Sequence, residues 1–430
     1  MWRLFYSLLL LLALPLIVAR LYIKSLAAPD YRRRIGERFA LFKSADATES
    51  TAPAAASAGI WIHAVSVGEV VAAAPLVKAL CNANPNVRIT ITTTTPTGSE
   101  RVRSLFGNAV IHVYAPYDLE FLVRRFLRRI RPGLLIIMET ELWPNTIAAC
   151  KQENVKILLA NARRSERSAA GYRRISGLAR QMLMAIDFIA AQAQADADRL
   201  IALGAEASKV QVTGSLKFYV DVDTTLSHND EPFSSIKASG RTVIVIASTR
   251  ESEESKVLDA ILPLLDAVEA PLCILIPRHP ERFQEVVELC QKRGLRLQRR
   301  SSGQALAADT QVLLGDSMGE MMAYYSLGDI AFVGGSLVDT GCQNVLEPAA
   351  WALPVLVGPS QFNFAKICSQ LESANALRTV QDATELTTQL RRLLDEPAKR
   401  EAMGQSGAAL VKANRSALPE LLAQIDRLLT

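Results

Sequence analysis

Three carboxylates and a lysine stand where this chain could do acid–base chemistry. Glu69 closes the run Ile60-Trp-Ile-His-Ala-Val-Ser-Val-Gly-Glu69, in which a short apolar strand turns into a helix through Leu80. A carboxylate at such a turn of a doubly wound sheet points into the crevice where ligands bind, and a hydroxyl acceptor needs a base there. The same position also suits a carboxylate that only stabilises a helix start through its dipole. Both readings stand. Glu139 and Glu141 follow the apolar run 134–138 in Met138-Glu-Thr-Glu-Leu-Trp-Pro-Asn145, and packing gives little reason for two acids at a strand end. Lys217, in Gly214-Ser-Leu-Lys-Phe218, is offered toward the same edge.

A second constellation occupies 332–364, FVGGSLVDTGCQNVLEPAAWALPVLVGPSQFNF. A strand over 330–333 runs into Gly334-Gly335-Ser336, whose backbone amides can approach an anion closely. A helix is expected to open near Asn344 as its N-cap, with Glu347 in the first turn. That sets a carboxylate where ribose hydroxyls would lie while amides hold a phosphate. Asn-x-x-Glu is equally a near match to a capping box, and Gly-Gly an ordinary turn.

The elements that must position these groups alternate between short β-rich runs and helical patterns. Strands are expected over 61–62, 87–92, 110–114, 134–138, 156–159, 188–191 and 210–213. In the second half they are expected over 243–247, 272–276, 312–314, 330–333 and 355–357. Continuous apolar strands between helices read as parallel sheets covered on both faces. At 430 residues, 50% of them apolar, the chain exceeds one core and fits two domains. The polar stretch 219–241 marks the boundary between two Rossmann-like domains.

Charge and hydropathy bear on partners. Residues 1–225 carry 28 Lys and Arg against 18 Asp and Glu, and the remainder 20 against 25. The first half should therefore meet something anionic, a membrane surface or a phosphorylated lipid. Zinc spacing, RNA-binding signatures and aromatic–basic interleaving are missing, so nucleic acid is not the expected partner. Leu4 to Ala19 is apolar apart from Ser7, and Arg20, Lys24 and Arg32–Arg34 follow it. At 16 residues this run is short for a span of roughly 20. It reads as an uncleaved anchor, an in-plane interfacial helix, or a signal peptide cut after Ala27; the basic cluster after the run favours the first two. The small-residue stretch 43–58 reads as a tether, and 117–131 as a helix with one apolar face and Arg124, Arg125, Arg128 and Arg129 elsewhere. Six scattered cysteines without CxxC suggest free thiols in a reducing compartment, and four scattered histidines give no metal site.

HAVSVGE, METELWPN, ANARRSERS, GSLKF, PRHPER, GDSMGE and the elements of 332–364 occur in order, and through them the chain resembles the Kdo transferases. These are bacterial inner-membrane enzymes that move 3-deoxy-D-manno-octulosonic acid (Kdo) from CMP-Kdo onto lipid A precursor. The resemblance implies a GT-B architecture, two domains facing across a cleft. It implies an anchor over 1–25 on the cytoplasmic face, an acceptor domain over 30–222 and a CMP-Kdo domain over 240–430. Glu69 matches the family's catalytic base, and Glu139 and Lys217 match positions that stabilise the transition state. Pro277, Arg278, Met318, Gly319, Glu320, Asn344, Val345, Leu346 and Glu347 match the donor-binding segments. No metal or cofactor is implied; CMP-Kdo is a substrate, and the reaction is an inverting single displacement. Where many members carry histidine, this chain has Arg250, Gln343 and the Ser360-Gln361 pair. Two rivals remain: a secreted two-lobed binding protein, and a UDP-dependent GT-B enzyme resembling lipid A disaccharide synthase or a nucleotide-sugar epimerase.

Overall fold

The computed structural model describes residues 2–42, 59–164, 166–220, 222, 230–265 and 270–430. The expected tether over 43–58 lies outside them, as does part of the boundary stretch. Two compact units result: residues 1–219 with 414–430, and residues 220–413.

The first unit holds seven strands: β1 (Gly59–His63), β2 (Ile89–Thr93), β3 (Ile111–Tyr114), β4 (Pro132–Met138), β5 (Lys156–Ala162), β6 (Phe188–Ala191) and β7 (Val210–Val212). They lie in the order β3-β2-β1-β4-β5-β6-β7, and every pairing is parallel. Alternation sorts their side chains. Trp61, Leu135 and Ile137 enter one core, while Ile60, Ile62 and Ile136 enter another. Both faces are therefore buried, which is why the strands read as continuous apolar runs.

The second unit repeats the plan with β8 (Val243–Thr249), β9 (Leu272–Pro277), β10 (Leu297–Arg299), β11 (Val312–Leu314), β12 (Ile330–Val333), β13 (Val355–Val357) and β14 (Leu377–Thr379). The order is β10-β11-β9-β8-β12-β13-β14, again all parallel. β10 and β14 were not expected. Both are three-residue edge strands with exposed polar positions, so neither carries a full apolar run.

One expected boundary is corrected. The terminal helix Ala417–Leu429 belongs with the first unit, not with a domain over 240–430. Ala417, Leu418, Leu421 and Ile425 enter the core beside Ile60 and Leu134. Their three- and four-residue spacing makes one apolar stripe, which the first sheet covers.

The apolar run near the start also extends further than expected. The helix α1 spans Trp2–Ala27, 26 residues with Pro15 inside. The helix Glu120–Ile130 buries Leu122, Val123, Phe126, Leu127 and Ile130 as its spacing requires. Two of its arginines serve the fold: Arg124 pairs with Glu120 and Glu153, and Arg129 donates to the Ala40 carbonyl at 2.7 Å.

Candidate active site

At the carboxyl edge of the first sheet, β1 delivers His63, and a short loop leads into the helix α2 (Val67–Ala83). Ser66 is the N-cap, in extended backbone, and its hydroxyl accepts from the Glu69 amide at 3.3 Å. The Glu69 carboxylate in turn accepts from the Val65 amide at 2.9 Å and from the Ser66 hydroxyl at 3.3 Å. Ser66 and Glu69 thus cap each other around the first turn. The helix-start reading of Glu69 describes its resting contacts, yet the site is not an ordinary cap. Glu69 is buried, and burial first, then the charges of Glu141 and Glu139, push its pKa up to about 8. A carboxyl poised near neutrality among other acids has the properties of a general base.

Glu139 directly follows β4 with φ of 55°, a left-handed backbone that a non-glycine residue holds at a cost. Two ties fix it there: its amide donates to the Ala160 carbonyl of β5 at 2.9 Å, and its carboxylate pairs with Arg163, just past the end of β5, at 2.8 Å. Glu141 accepts from the Trp143 indole at 3.0 Å. The Trp143 ring lies edge-on to His63 at 4.5 Å. His63 itself is spent on structure. The Trp61 indole donates to Thr92 Oγ1 at 2.8 Å, and the same hydroxyl is hydrogen-bonded to His63 Nδ1 at 2.9 Å. Burial holds the imidazole neutral, with its pKa lowered to about 3.

Lys217 sits in the helical turn Leu216–Phe218 after β7. That turn is fastened from β5, because Asn161 Oδ1 accepts the Leu216 amide at 3.1 Å from a backbone with φ of 54°. Strands β1, β4 and β7 thus bring Glu69, Glu139 and Lys217 to one edge, with β5 bracing the last two. Arg163 and Asn161 were not singled out from the sequence, although both lie in ANARRSERS. Asn161→Ala is expected to destabilise the protein by about 1–2 kcal/mol, from one buried hydrogen bond and a left-handed alanine. Thermal unfolding checks this.

At the carboxyl edge of the second sheet, the expectation for Gly334-Gly335-Ser336 is corrected. The amides of Gly335, Ser336 and Leu337 converge on an anion at 2.6, 2.9 and 2.9 Å, and the anion is the protein's own Glu253. The Arg250 amide adds a fourth bond at 3.1 Å. Glu253 is fully buried, and burial raises its pKa against those four hydrogen bonds. The glycines are needed for close approach: a Cβ on Gly334 would stand 2.7 Å from the Ser248 carbonyl, and one on Gly358 would overlap that of Ser336.

Arg250 and Arg278 lie beside this nest. Arg278 follows Pro277 at the end of β9, and its amide donates to the Thr249 carbonyl at 3.0 Å. Arg250 extends from the end of β8 to His279 Nε2 at 2.5 Å. Burial and then the nearby Arg278 charge lower the Arg250 pKa. The two positive charges repel each other, which favours an anion near both.

Asn344 Oδ1 accepts the Leu346 amide at 3.1 Å, and its Nδ2 donates to Glu347 Oε1 at 2.9 Å. The helix Leu346–Ala350 opens one residue later than expected, and Val345 is its N-cap in place of Asn344. Burial raises the Glu347 pKa, opposed by Asn344 and by the Arg278 charge. Val345 and Leu346 are fully buried. Met318 is exposed and Gly319 turns with φ of 87°. The Glu320 carboxylate is held by Arg300 at 2.8 Å and by Ser317. At the Ser360-Gln361 pair, where many members carry a histidine, Ser360 accepts the Gly341 amide at 3.2 Å and Gln361 braces Gly358 at 3.0 Å.

A family model described as 3-deoxy-D-manno-octulosonic-acid transferase matches residues 33–220. A 3-deoxy-D-manno-octulosonic acid transferase of Haemophilus influenzae is 41% identical over 423 residues, 98% of this chain and 97% of its own length. The chain belongs to the Kdo transferase family. A Bordetella pertussis member is 37% identical, over 92% of this chain and 93% of its own. Among solved structures, a UDP-GlcNAc 2-epimerase from Neisseria meningitidis superposes with a TM-score of 0.53, at 14% identity over 86% of this chain and 100% of that one. A glycosyltransferase from Rickettsia africae superposes with the same TM-score at 13% identity, over 87% of this chain and 100% of that one. Those two likenesses establish the GT-B fold for this Kdo transferase.

Proposed function

We propose that the chain transfers Kdo from CMP-Kdo to a hydroxyl of lipid A precursor in lipopolysaccharide inner-core biosynthesis, with Glu69 as the general base. The observation that carries this reading is Glu69 itself, a buried carboxyl raised to about 8 among Glu139 and Glu141, in the sequence HAVSVGE of a Kdo transferase family member. Glu69 takes the proton of the acceptor hydroxyl. The freed oxygen forms a bond to the anomeric carbon as the bond to the phosphate oxygen breaks. CMP leaves with that electron pair, and attack opposite the leaving group inverts the centre. Lys217 offsets the negative charge that develops, a task that metal ions carry out in other transferases. Glu139, paired with Arg163, shapes the field around the base.

On the donor, Glu347 accepts from the ribose hydroxyls, and Arg278 and Arg250 receive the phosphate and the Kdo carboxylate. Met318 and Gly319 offer exposed surface to the nucleotide, the buried Pro277, Val345 and Leu346 fix the segments that carry Arg278 and Glu347, and Arg300 holds Glu320 in place. A lipid acceptor and the apolar α1 support a place for the enzyme at an anionic membrane surface, which we take to be the cytoplasmic face of the inner membrane.

The test is nucleotide release by purified protein with tetraacylated lipid A precursor in EDTA. Acceptor-dependent CMP release from CMP-Kdo is expected, with no turnover of UDP-sugars. Arg278→Ala is expected to raise KM for the donor tenfold or more, about 1.4 kcal/mol or more for a charge-assisted contact. Release of UDP, or none of CMP, sinks the reading.

A further inference from the structure

Length and composition alone would let α1 cross a bilayer. Its attachments argue otherwise. At the Trp2 end, the indole lies against Gly177, where a Cβ would stand 3.0 Å from Nε1. Arg3 pairs with Glu120 at 3.4 Å, and Ser7 accepts from Asn145 Nδ2 at 2.9 Å. The Tyr6 hydroxyl bonds the buried Asp118 carboxylate, which also caps Asn145 and Thr146. At the other end, Ser25 is buried, and the chain enters a segment fastened to β3. There Arg34 donates to the His112 carbonyl at 2.8 Å, and Glu37 accepts the Tyr114 amide at 2.8 Å.

A rod of 26 residues is about 39 Å long, more than the hydrocarbon core of about 30 Å. If α1 spanned, its two ends would lie on opposite sides of the membrane. Both are instead tied to one compact unit. Between the ends, the more shielded residues recur at helical spacing, as in Arg3, Ser7, Leu10, Leu14, Ile17 and Leu21. Leu4, Leu8, Leu12, Leu16, Ile23 and Leu26 form the open side, each at least half exposed.

We infer that α1 lies in the plane of an anionic phospholipid bilayer, tied at both ends to the first unit, with its leucine side in the acyl layer. The exposed cations Arg20, Lys24, Arg32 and Arg33 meet the headgroups. Asn145, to which Ser7 is bound, lies only four residues beyond Glu141 in the loop that carries the candidate acids. The helix thereby seats that loop at the depth of a lipid headgroup, where an acceptor hydroxyl sits. This inference rests on the membrane reading above.

The test uses the full chain with one cysteine appended ahead of Met1, in inverted membrane vesicles whose cytoplasmic face is outward. A membrane-impermeant maleimide is added before and after detergent, and the chain without the added cysteine gives the background. Labelling that is complete before detergent is expected. Membrane-bound protein labelled tenfold more only after detergent would show a span and overturn the inference. Recovery of the chain in the soluble fraction would overturn the membrane reading beneath it. In the same preparation Leu8→Asp with Leu16→Asp, both on the open side, is expected to shift at least nine-tenths of the protein to the soluble fraction. An unchanged distribution would remove the leucine side from the membrane contact.

Discussion

Glu69→Gln is expected to lower Kdo transfer by about 10²–10⁴-fold and, at alkaline pH, to make the protein more stable. Glutamine keeps the shape of the cap: its oxygen can still accept the Val65 amide, and the Ser66 cap of the Glu69 amide is untouched. Loss of turnover in this variant therefore reports the missing base and not a broken helix start. The stability effect follows from linkage. The native carboxyl keeps its proton to about pH 8, while the unfolded one releases it near 4.5. Across that window the native state binds more protons, so stability falls as pH rises through it. The favourable contribution is complete below about 4.5 and gone above about 8. Glutamine has no proton to lose, so the variant should gain on the order of 2 kcal/mol over wild type by pH 9 and nothing at pH 4. Paired unfolding curves at the two pH values, beside initial rates, check both halves. A variant with near-normal turnover would return Glu69 to a capping role and send the search for the base to Glu139 or Glu141.

Glu253→Ala is expected to cost on the order of 3–5 kcal/mol, a fall in Tm of roughly 10 °C for a unit of this size. The carboxylate is fully buried and satisfies four backbone amides from two loops. Alanine leaves those donors without partners in a space that water does not easily fill. Glu253→Gln preserves volume but turns an N–H₂ toward N–H donors, and should cost about half as much. Donor affinity should fall in both variants, because the loop from Gly334 to Gly341 leads directly to Asn344 and Glu347. A glycine loop whose amides await a phosphate would behave in the opposite way: removing an internal acid would open the nest and tighten anion binding. Calorimetric unfolding with CMP titration separates the two.

How far the sequence leads depends on whether a residue's task is local. Glu69, Glu139 and Lys217 could be singled out because each follows a strand end, and strand ends are visible as apolar runs. Twelve of the fourteen strands were visible for the same reason, while β10 and β14 are short polar edges with no pattern to read. Glu253 was missed because three of its four partners lie 82 to 84 residues away, and nothing in Ser252-Glu253-Glu254 announces an anion that fills a nest after another strand. Asn161 looks like an ordinary strand residue until its left-handed backbone is seen. The helix Ala417–Leu429 was assigned to the second domain because sequence adjacency says nothing about which sheet covers an apolar stripe. The reach of α1 was underestimated because Arg20 and Lys24 interrupt the apolar run without interrupting the helix.

The most direct test of the central claim is the pH dependence of kcat/KM for Kdo transfer between pH 5.5 and 9.5. A base raised to about 8 must lose its proton before it can accept one, so the rate should climb about tenfold per pH unit below that value and level off above it. A profile already flat at pH 6 would mean that the acceptor's proton goes elsewhere, and Glu69 would not be the base.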